Sequence, residues 1–366
     1  MNLQRVGPLF FLPGTVRRLG SNPAEILAEV GLGPSALDHP DNTIPHAMMG
    51  LLLGTAAERT RCPHFGLELG RGIGISALGP VGKMMCHAPT VGTALCDFCA
   101  NQHRNARGGV AYFLLEEEHG CWGYAVYHFG VKGSRHVYDA AAMIGFNILC
   151  ELAGSEQIGS VELLLSHSGP EDLTPYRRSL KLKLSFDCGQ TAFLLPRQMV
   201  NQPVVGADPT IRKELQNSVK AMSPAGELDV VSQLRRTLRI ALIEGKVSAV
   251  AISAQMRMNR RTLQRRLEAE GMSFQRILDE TRSEFAMQLL AHTKLSIAEI
   301  ALMVGYAEAS VLIRSFSQWT GLTPSQWRSN MDEATFKREE RSLSPVQIPN
   351  LSATRENASD LSTGRL

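Results

Sequence analysis

The sequence predicts an α+β region followed by an all-α region that contains two helix-turn-helix units. Three observations support this prediction: alternating apolar residues in the middle of the first half, helical spacing of apolar residues in the last third, and a repeated pattern between residues 248 and 328. The 366 residues suffice for two domains, and 44% apolar with 20% charged residues is ordinary for a globular protein.

In the first half, helical patterns precede most of the strand patterns. The predicted helices span about 23–30, 45–59, 90–102 and 137–152. The predicted strands span about 110–115, 121–129, 161–166, 180–186 and 193–195, with turns at His119-Gly120 and at 187–189. A sheet with helices and an apolar interior predicts a pocket for a small ligand.

Composition sets the expected domain limits. Residues 206–227 hold several prolines and glycines around a short helical stretch, which is typical of a linker. We therefore expect an effector-sensing or dimerisation domain at 1–205 and a helical domain at 228–330. Residues 331–366 are rich in Ser, Glu, Arg and Asn and are expected to be disordered.

The last third contains the same pattern twice. Ser248 and Ser296 each stand four residues before an isoleucine, and short breaks follow at Arg257-Met258 and Gly305-Tyr306. Ser296 and Glu299 have the spacing of a capping box, so a helix is predicted to begin there. Two short helices joined by a tight turn, twice over, predict a pair of helix-turn-helix units.

The first unit is rich in cations. Five arginines lie between residues 257 and 266, and Asn259 is placed to cap the helix that follows. Leu263 and Leu267 form its predicted buried stripe, which leaves Arg261, Gln264 and Arg265 exposed. Arginine suits the guanine edge and glutamine the adenine edge in the major groove. The alternative is a solvated basic face on an ordinary surface helix.

The distribution of charge favours contact with nucleic acid. Residues 228–330 hold 14 Lys and Arg against 9 Asp and Glu, a net charge of +5, whereas the whole chain carries only +3. The remainder is therefore close to −2. A basic module joined to a nearly neutral region is typical of a protein in which only the module contacts phosphates.

These residues resemble the signature of the AraC/XylS family of transcriptional regulators. The resemblance spans about a hundred residues. It rests on Ser296-Ile297-Ala298-Glu299-Ile300-Ala301-Leu302-Met303-Val304-Gly305-Tyr306, Ser310, Arg314-Ser315-Phe316, Gly321-Leu322-Thr323-Pro324 and Arg328. It implies seven helices with a long connecting helix at about 274–291, roughly 27 Å in length. Such a helix would hold the two reading helices about one DNA turn, near 34 Å, apart.

The resemblance also assigns DNA-contacting positions. Base reading falls on Arg261, Gln264 and Arg265 in the first unit, and the second contributes Ala309, Ser310, Ile313 and Arg314. Arg257 stands where the family usually has glycine, and we expect it to reach a phosphate. The full expected set is Arg257, Asn259, Arg260, Arg261, Gln264, Arg265, Ala309, Ser310, Ile313 and Arg314. Because Ala309 and Ile313 are apolar, the first unit should dominate specificity.

The first half resembles the arabinose-binding-like effector domain found in one branch of the family. The resemblance covers roughly 24–205 and rests on Phe65-Gly66-Leu67-Glu68-Leu69-Gly70, 78–82 and 88–95. It implies a domain that binds an inducer, pairs subunits or does both. We therefore expect a cytoplasmic, nucleoid-associated regulator, more often an activator in this family. Its expected partners are promoter DNA, RNA polymerase, a small organic effector and a second copy of the chain. No membrane contact is expected, since no apolar stretch approaches the roughly 18 residues of a transmembrane helix.

Other functions have less support from the residues. The C-x-x-C at Cys96 and Cys99, with Cys86 nearby, leaves open a thiol- or metal-sensing regulator. A second C-x-x-C is missing, so no metal site is assigned, and no cofactor is expected. The chain brings together no nucleophile, base and orienting group, so an enzyme, including a DNA-modifying one, is not expected.

Overall fold

The structure is a computed structural model, and it describes residues 3–102, 109–126, 133–221 and 229–330. The segment Met1–Pro324 forms one compact unit, and the chain from Ser325 belongs to a second. The predicted disordered tail at 331–366 and the linker residues 222–227 lie outside the described residues.

Helices make up most of the described chain. The α-helices are α1 Leu12–Arg18, α2 Pro23–Glu29, α3 His46–Arg59, α4 Phe65–Gly70, α5 Pro80–Cys86, α6 Val91–Asn101, α7 Ser134–Ala153, α8 Thr174–Leu180, α9 Arg197–Asn201, α10 Pro209–Ala221, α11 Val230–Ile243, α12 Ala249–Gln255, α13 Arg260–Ala269, α14 Phe274–His292, α15 Ile297–Met303, α16 Ala309–Thr320 and α17 Pro324–Asn330. Short 3-10 helices lie at Gly7–Phe11, Pro34–Leu37, Ile75–Leu78 and Gln157–Ser160.

The strands form two sheets within the described ranges. They are β1 Leu3–Arg5, β2 Thr43–Pro45, β3 Gly109–Leu115, β4 His119–Val126, β5 Glu162–Leu164, β6 Lys183–Ser185 and β7 Thr191–Pro196. Strands β1 and β2 pair with each other, and the five-stranded sheet has the order β3-β4-β7-β5-β6. All pairs in the larger sheet are antiparallel except β5 with β6. The predicted α+β class and the helical C-terminal region are confirmed.

Two predicted details of the sheet are wrong. The hairpin between β3 and β4 turns at residues 116–118, where the Glu116 N–H donates to the His119 carbonyl, and Gly120 lies inside β4. The stretch 180–186 is not one strand, because Leu180 ends α8 and the short β6 pairs in parallel with β5. Strand β7 pairs with β4 and β5, so β6 and β7 do not form a hairpin.

The larger sheet is covered on both faces. On one face, Trp122 of β4 and Phe193 of β7 are register partners whose rings stack with centroids 5.7 Å apart, and they pack in the core that includes residues of α7. On the other face, Tyr112 and Cys121 are buried together with their neighbours, and Ile240 and Ile243 of α11 pack against them. The sheet is therefore the layer between α7 and the start of the C-terminal helical region.

A buried polar network fixes the first turns of α7. Asp139 is fully buried and accepts hydrogen bonds from the Tyr176 hydroxyl at 2.8 Å and from Nε2 of His167 at 3.1 Å. Burial opposes ionisation of Asp139, but His167, Arg135 and the Tyr176 hydroxyl hold its pKa below the ordinary value. The carboxylate therefore ties α7 to α8 and to the segment that follows β5, as is usual for buried charges that remain paired.

Candidate nucleic-acid interface

The two helix-turn-helix units share one turn geometry. In the first, the N–H groups of Arg257 and Met258 donate to the carbonyls of Ala254 and Ser253, both at 2.9 Å. In the second, Gly305 and Tyr306 donate in the same order to Leu302 and Ala301, at 3.1 and 2.9 Å. The same hydrogen bonds thus recur 48 positions later, and the predicted duplication is present in the backbone.

The residue at the turn needs a left-handed backbone. Gly305 has φ +80°, and its counterpart Arg257 has φ +55°. Glycine adopts this conformation without a steric penalty, whereas the Cβ of an arginine comes too close to the following carbonyl oxygen. The exposed Arg257 therefore sits at a strained turn directly before α13.

Helix α13 presents a basic face and buries an apolar one. Leu263 and Leu267 are at most 2% exposed and lie in the core of the first unit. Asn259 caps the helix, accepting a hydrogen bond from the Thr262 N–H at 2.8 Å. The predicted contact residues on this helix and its approach are exposed: Arg257, Asn259, Arg260, Arg261, Gln264 and Arg265.

The exposed arginines of α13 lack carboxylate partners among the described residues. In the described part of the chain no ion pair involves Arg260, Arg261 or Arg265, whereas Arg235 and Arg276 of neighbouring helices pair with glutamates. Gln264 donates to Oε1 of Glu268 at 2.9 Å, one turn along the same helix. Arg261, Gln264 and Arg265 are spaced i, i+3 and i+4, so they share one face.

Helix α16, the second predicted reading helix, is less polar. Leu312 and Phe316 are fully buried, while Ser310, Ile313 and Arg314 are exposed and Ala309 is half-buried. The Ser310 hydroxyl donates to Oε2 of Glu308 at 3.0 Å. Arg314 is therefore the cationic member of this predicted set, and Ile313, 38% exposed, is an apolar one.

Two features support the second unit. The predicted capping box is confirmed: the Glu299 N–H donates to the Ser296 hydroxyl at 3.2 Å, and the Ser296 N–H donates to Oε2 of Glu299 at 2.7 Å. The Ser296 hydroxyl and the Ser296 N–H both donate to the Glu299 carboxylate, and these two hydrogen bonds lower its pKa. Arg282 of α14, which the sequence did not single out, donates from Nε to the Val304 carbonyl at 3.1 Å and lies 4.6 Å from the Tyr306 ring centroid.

The connecting helix agrees with the one expected. Helix α14 spans Phe274–His292, 19 residues, or about 28 Å at the usual rise. Its buried face, which includes Ile277, Phe285 and Leu289, follows the spacing of a helix packed along its length. This length suits two reading helices placed about one DNA turn apart, and contact of either helix with DNA stays a prediction.

The first half contains a small recess next to the sheet. It is lined by Trp122, Gly123, Tyr124, Ala141, Ala142, Gly145, Thr191 and Phe193 and has a volume of about 30 Å³. That is room for one or two water molecules rather than an organic ligand. The recess is therefore a small apolar opening between α7 and β4.

The surroundings of Cys86, Cys96 and Cys99 disfavour the thiolate form. Burial raises the pKa of Cys86 and of Cys96, and it raises the pKa of Cys99 to about 12. Reactive and metal-binding thiols need the opposite shift, toward the thiolate. Among the residues that the structure describes, no three His, Cys, Asp or Glu side chains are gathered as metal ligands would be. None of the helices so described is long and apolar enough to cross a membrane.

Comparison with known proteins agrees with this architecture. Residues 20–204 match the model of the arabinose-binding domain of AraC transcription regulators, N-terminal, and residues 252–330 match a helix-turn-helix domain model. The chain is 27% identical over 330 residues to the HTH-type transcriptional regulator VirS of Mycobacterium tuberculosis, covering 90% of this chain and 97% of VirS.

Two further proteins illustrate the similarity. The ornithine utilization regulator of Pseudomonas aeruginosa is 26% identical over 301 residues, which cover 81% of this chain and 87% of that protein. The crystal structure of the transcriptional regulator CdpR from Pseudomonas aeruginosa aligns with 86% of this chain and 98% of its own, at 20% identity and a TM-score of 0.39. The chain belongs to the AraC family of transcription regulators and carries a helix-turn-helix DNA-binding region.

Proposed function

We propose that this regulator activates transcription by binding promoter DNA with α13 and α16 in successive major grooves, under control of a small organic effector. The observation that carries the proposal is the basic face of α13 on a duplicated helix-turn-helix frame. Arginines that pair with no carboxylate among the described residues are suited to phosphates and to guanine edges.

Helix α13 supplies most of the sequence reading. Arg265 donates two hydrogen bonds to a guanine edge, Gln264 contacts adenine, and Arg261 reads the neighbouring base on the same helix face. Arg257 and Arg260 lie at the turn and at the first residue of α13, and they contact phosphates together with the amide of Asn259. Phosphate contacts of this kind set the position of the helix without reading sequence.

Helix α16 adds a smaller contribution. Ile313 and Ala309 form an apolar surface that packs on thymine methyl groups, and Arg314 reads guanine. Ser310 contacts the backbone or a base edge from the same face. The two half-sites are therefore unequal, and the α13 half is the more strongly specified.

Family membership supports the proposed partners. The match over residues 20–204 supports a region that receives an effector or pairs two copies of the chain, and RNA polymerase is the partner of an activator. The regulator acts in the cytoplasm, on the nucleoid. Effector binding shifts the population between arrangements that differ in DNA affinity.

The first experiment selects duplexes from a random library with the full chain. The proposal expects one bipartite site whose halves are about one DNA turn apart, and failure to enrich any sequence would overturn it. Transcripts measured in cells with and without the regulator, across added metabolites, test activation. A rise in target transcripts when the regulator is removed would show a repressor.

Replacing Arg265 tests the assigned reading. Arg265→Ala should weaken binding to the selected duplex by about 1 to 3 kcal/mol and relax preference at one base pair. Arg178→Ala, which removes the same charge from an exposed position of α8, serves as the matched control and should leave binding nearly unchanged. Equal losses on selected and random duplexes would show that Arg265 contacts a phosphate instead.

A further inference from the structure

Two carboxylates lie among the predicted reading residues. Glu268 is on α13 and Glu308 directly precedes α16, and both side chains are exposed. Each accepts a hydrogen bond from a neighbouring reading residue, Glu268 from the Gln264 amide at 2.9 Å and Glu308 from the Ser310 hydroxyl at 3.0 Å. A carboxylate close to DNA phosphates weakens binding to any duplex, because like charges repel. These two positions therefore oppose affinity, and a gain of another kind has to offset that loss.

Glu268 bonds to an amide although a cation is within equal reach along the helix. Arg265 stands three residues before Glu268 and Gln264 stands four before it, so both are its neighbours on the surface of α13. Within the described ranges no ion pair joins Arg265 to Glu268, and the carboxylate holds the Gln264 amide instead. The guanidinium of Arg265 therefore stays available for a guanine edge, and the effect of Glu268 falls on Gln264.

The charge of Glu268 decides which way the Gln264 amide faces. A carboxylate only accepts hydrogen bonds, so Nε2 of Gln264 turns toward it and Oε1 does not. This bond uses one of the two amide hydrogens. The other hydrogen and Oε1 remain, and they are the donor and the acceptor that N7 and the N6 amino group of adenine require. Without the carboxylate, the amide is free to turn over and offer its donor where adenine needs an acceptor.

Glu308 restricts Ser310 more strictly. A serine hydroxyl has a single hydrogen, and Ser310 donates it to Oε2 of Glu308, so the Ser310 oxygen can then only accept. In the major groove the donors are the N6 amino group of adenine and the N4 amino group of cytosine. Guanine and thymine offer acceptors on that edge, and phosphates offer acceptors as well. Ser310 is therefore directed to a base that carries an exocyclic amino group, and away from the DNA backbone.

The side chain of Glu308 does not serve as a helix cap. Glu308 is the N-cap residue of α16, yet its side chain accepts no hydrogen bond from the first backbone N–H groups of that helix. The equivalent residue of α13, Asn259, does cap its helix by accepting from the Thr262 N–H. Because the carboxylate of Glu308 bonds to Ser310 and not to the backbone, a capping role does not account for it.

We propose that Glu268 and Glu308 are positioning residues, which set the direction of the hydrogen bonds that Gln264 and Ser310 make with bases. Glu268 favours adenine opposite Gln264, and Glu308 favours an amino-bearing base, adenine or cytosine, opposite Ser310. The inference rests on the proposed function. Specificity is the difference in affinity between right and wrong duplexes, so a residue that lowers affinity for all of them still improves discrimination when it penalises the wrong ones more.

The test compares base preferences of the full chain and its variants across the random duplex library. Glu268→Gln removes the charge and lets the Gln264 amide face either way. The preference for adenine at one base pair should then fall about three- to tenfold, the scale of one misaligned hydrogen bond. Glu270→Gln is the matched control, because it removes the same charge from an exposed side chain at the end of the same helix. This control should leave the preference unchanged.

A double-variant cycle shows whether Glu268 acts through Gln264. Gln264→Ala should lose the adenine preference at the same base pair, and adding Glu268→Gln should change that preference no further. A further change in the double variant would show that Glu268 contacts the base itself, and the positioning role would be wrong. An equal loss of preference in Glu268→Gln and Glu270→Gln would assign the effect to charge and would also overturn the inference.

Helix α16 provides an independent test. Glu308→Gln should reduce the preference for an amino-bearing base at one pair by a similar factor, and Ser310→Ala should lose the preference at that pair. Both glutamates are exposed, so each variant should keep the native circular dichroism. If affinities change while the preferences at both pairs stay as in the wild type, the inference is refuted and the proposed function stands. If the wild type selects no duplex, the proposed function fails and the inference falls with it.

Discussion

Arg257 has two predicted effects, one on the stability of its turn and one on DNA binding, and substitutions can separate them. An L-residue in the left-handed region costs about 1 to 2 kcal/mol, and Arg257 at φ +55° occupies that region where the second unit has Gly305. Arg257→Gly removes this cost, but the added freedom of glycine in the unfolded chain destabilises the folded state by about 0.5 to 1 kcal/mol. The free energy of unfolding should therefore rise by about 0.5 to 1 kcal/mol.

The same substitution should weaken DNA binding. If Arg257 neutralises one phosphate, its loss reduces the slope of log affinity against log salt by about 0.9. Arg257→Ala is the matched variant, because it loses the same cation but keeps a Cβ in the left-handed turn. Both variants should show the reduced salt slope, and Arg257→Gly alone should be more stable than the wild type.

Urea unfolding and salt titrations of binding to the selected duplex measure the two effects. The turn argument is refuted if the glycine and alanine variants are equally stable. The phosphate assignment is refuted if both retain the full salt slope.

Two further predictions concern stability. Ser296→Ala should lower the free energy of unfolding by about 1 kcal/mol because it removes the capping box. Ser248→Ala should lower it much less, since Ser248 occupies the equivalent cap without a side-chain hydrogen bond. Equal shifts in the urea midpoint would contradict this. Burial, with the nearby His167 and Arg135, lowers the pKa of His292 to about 4, while an unfolded histidine titrates near ~6.5. Above pH ~6.5 this histidine is neutral in both the folded and the unfolded chain. As the pH drops from about 6.5 to 4, the unfolded chain binds the proton first, so the free energy of unfolding should decrease by up to about 3 kcal/mol. Urea unfolding from pH 7 to 4 should show this loss in the wild type and a smaller one in His292→Gln; identical pH profiles would contradict the assignment.

Sequence patterns predicted the features that depend on contacts between neighbouring residues. The capping box at Ser296, the cap at Asn259 and the buried pair Leu263 and Leu267 depend on residues within one or two turns of each other. Such features appear in the sequence with their partners beside them. Helix α14 followed from family resemblance; it begins at Phe274 as expected and ends one residue later than expected.

The sheet was harder to predict because strand partners lie far apart in the chain. Leu180 fits a strand alternation, yet it also stands four residues after Tyr176, and both are fully buried on α8. The proline at position 175, in the first turn, was the overlooked helix signal. Gly120 suggested a turn, but it lies in β4, where a Cβ would come within 2.8 Å of the Phe113 ring.

The polar contacts between the halves left no local signal. Arg239, Gln288 and Tyr138 are separated by about 50 to 150 positions, and each alone fits an ordinary helix. The exposed basic face of α13 was predictable from spacing. The contact of Gln288 on α14 with Tyr138 on α7 required the assembled structure.

The packing of α11 on the sheet bears on how hybrid regulators should be built. A fusion that exchanges sensory halves at the proline- and glycine-rich segment before α11 would set Ile240 and Ile243 against a foreign sheet surface. Moving the junction to the loop between α11 and α12 keeps that helix with the strands it covers. The natural unit of exchange thus extends beyond the apparent linker, to about residue 244.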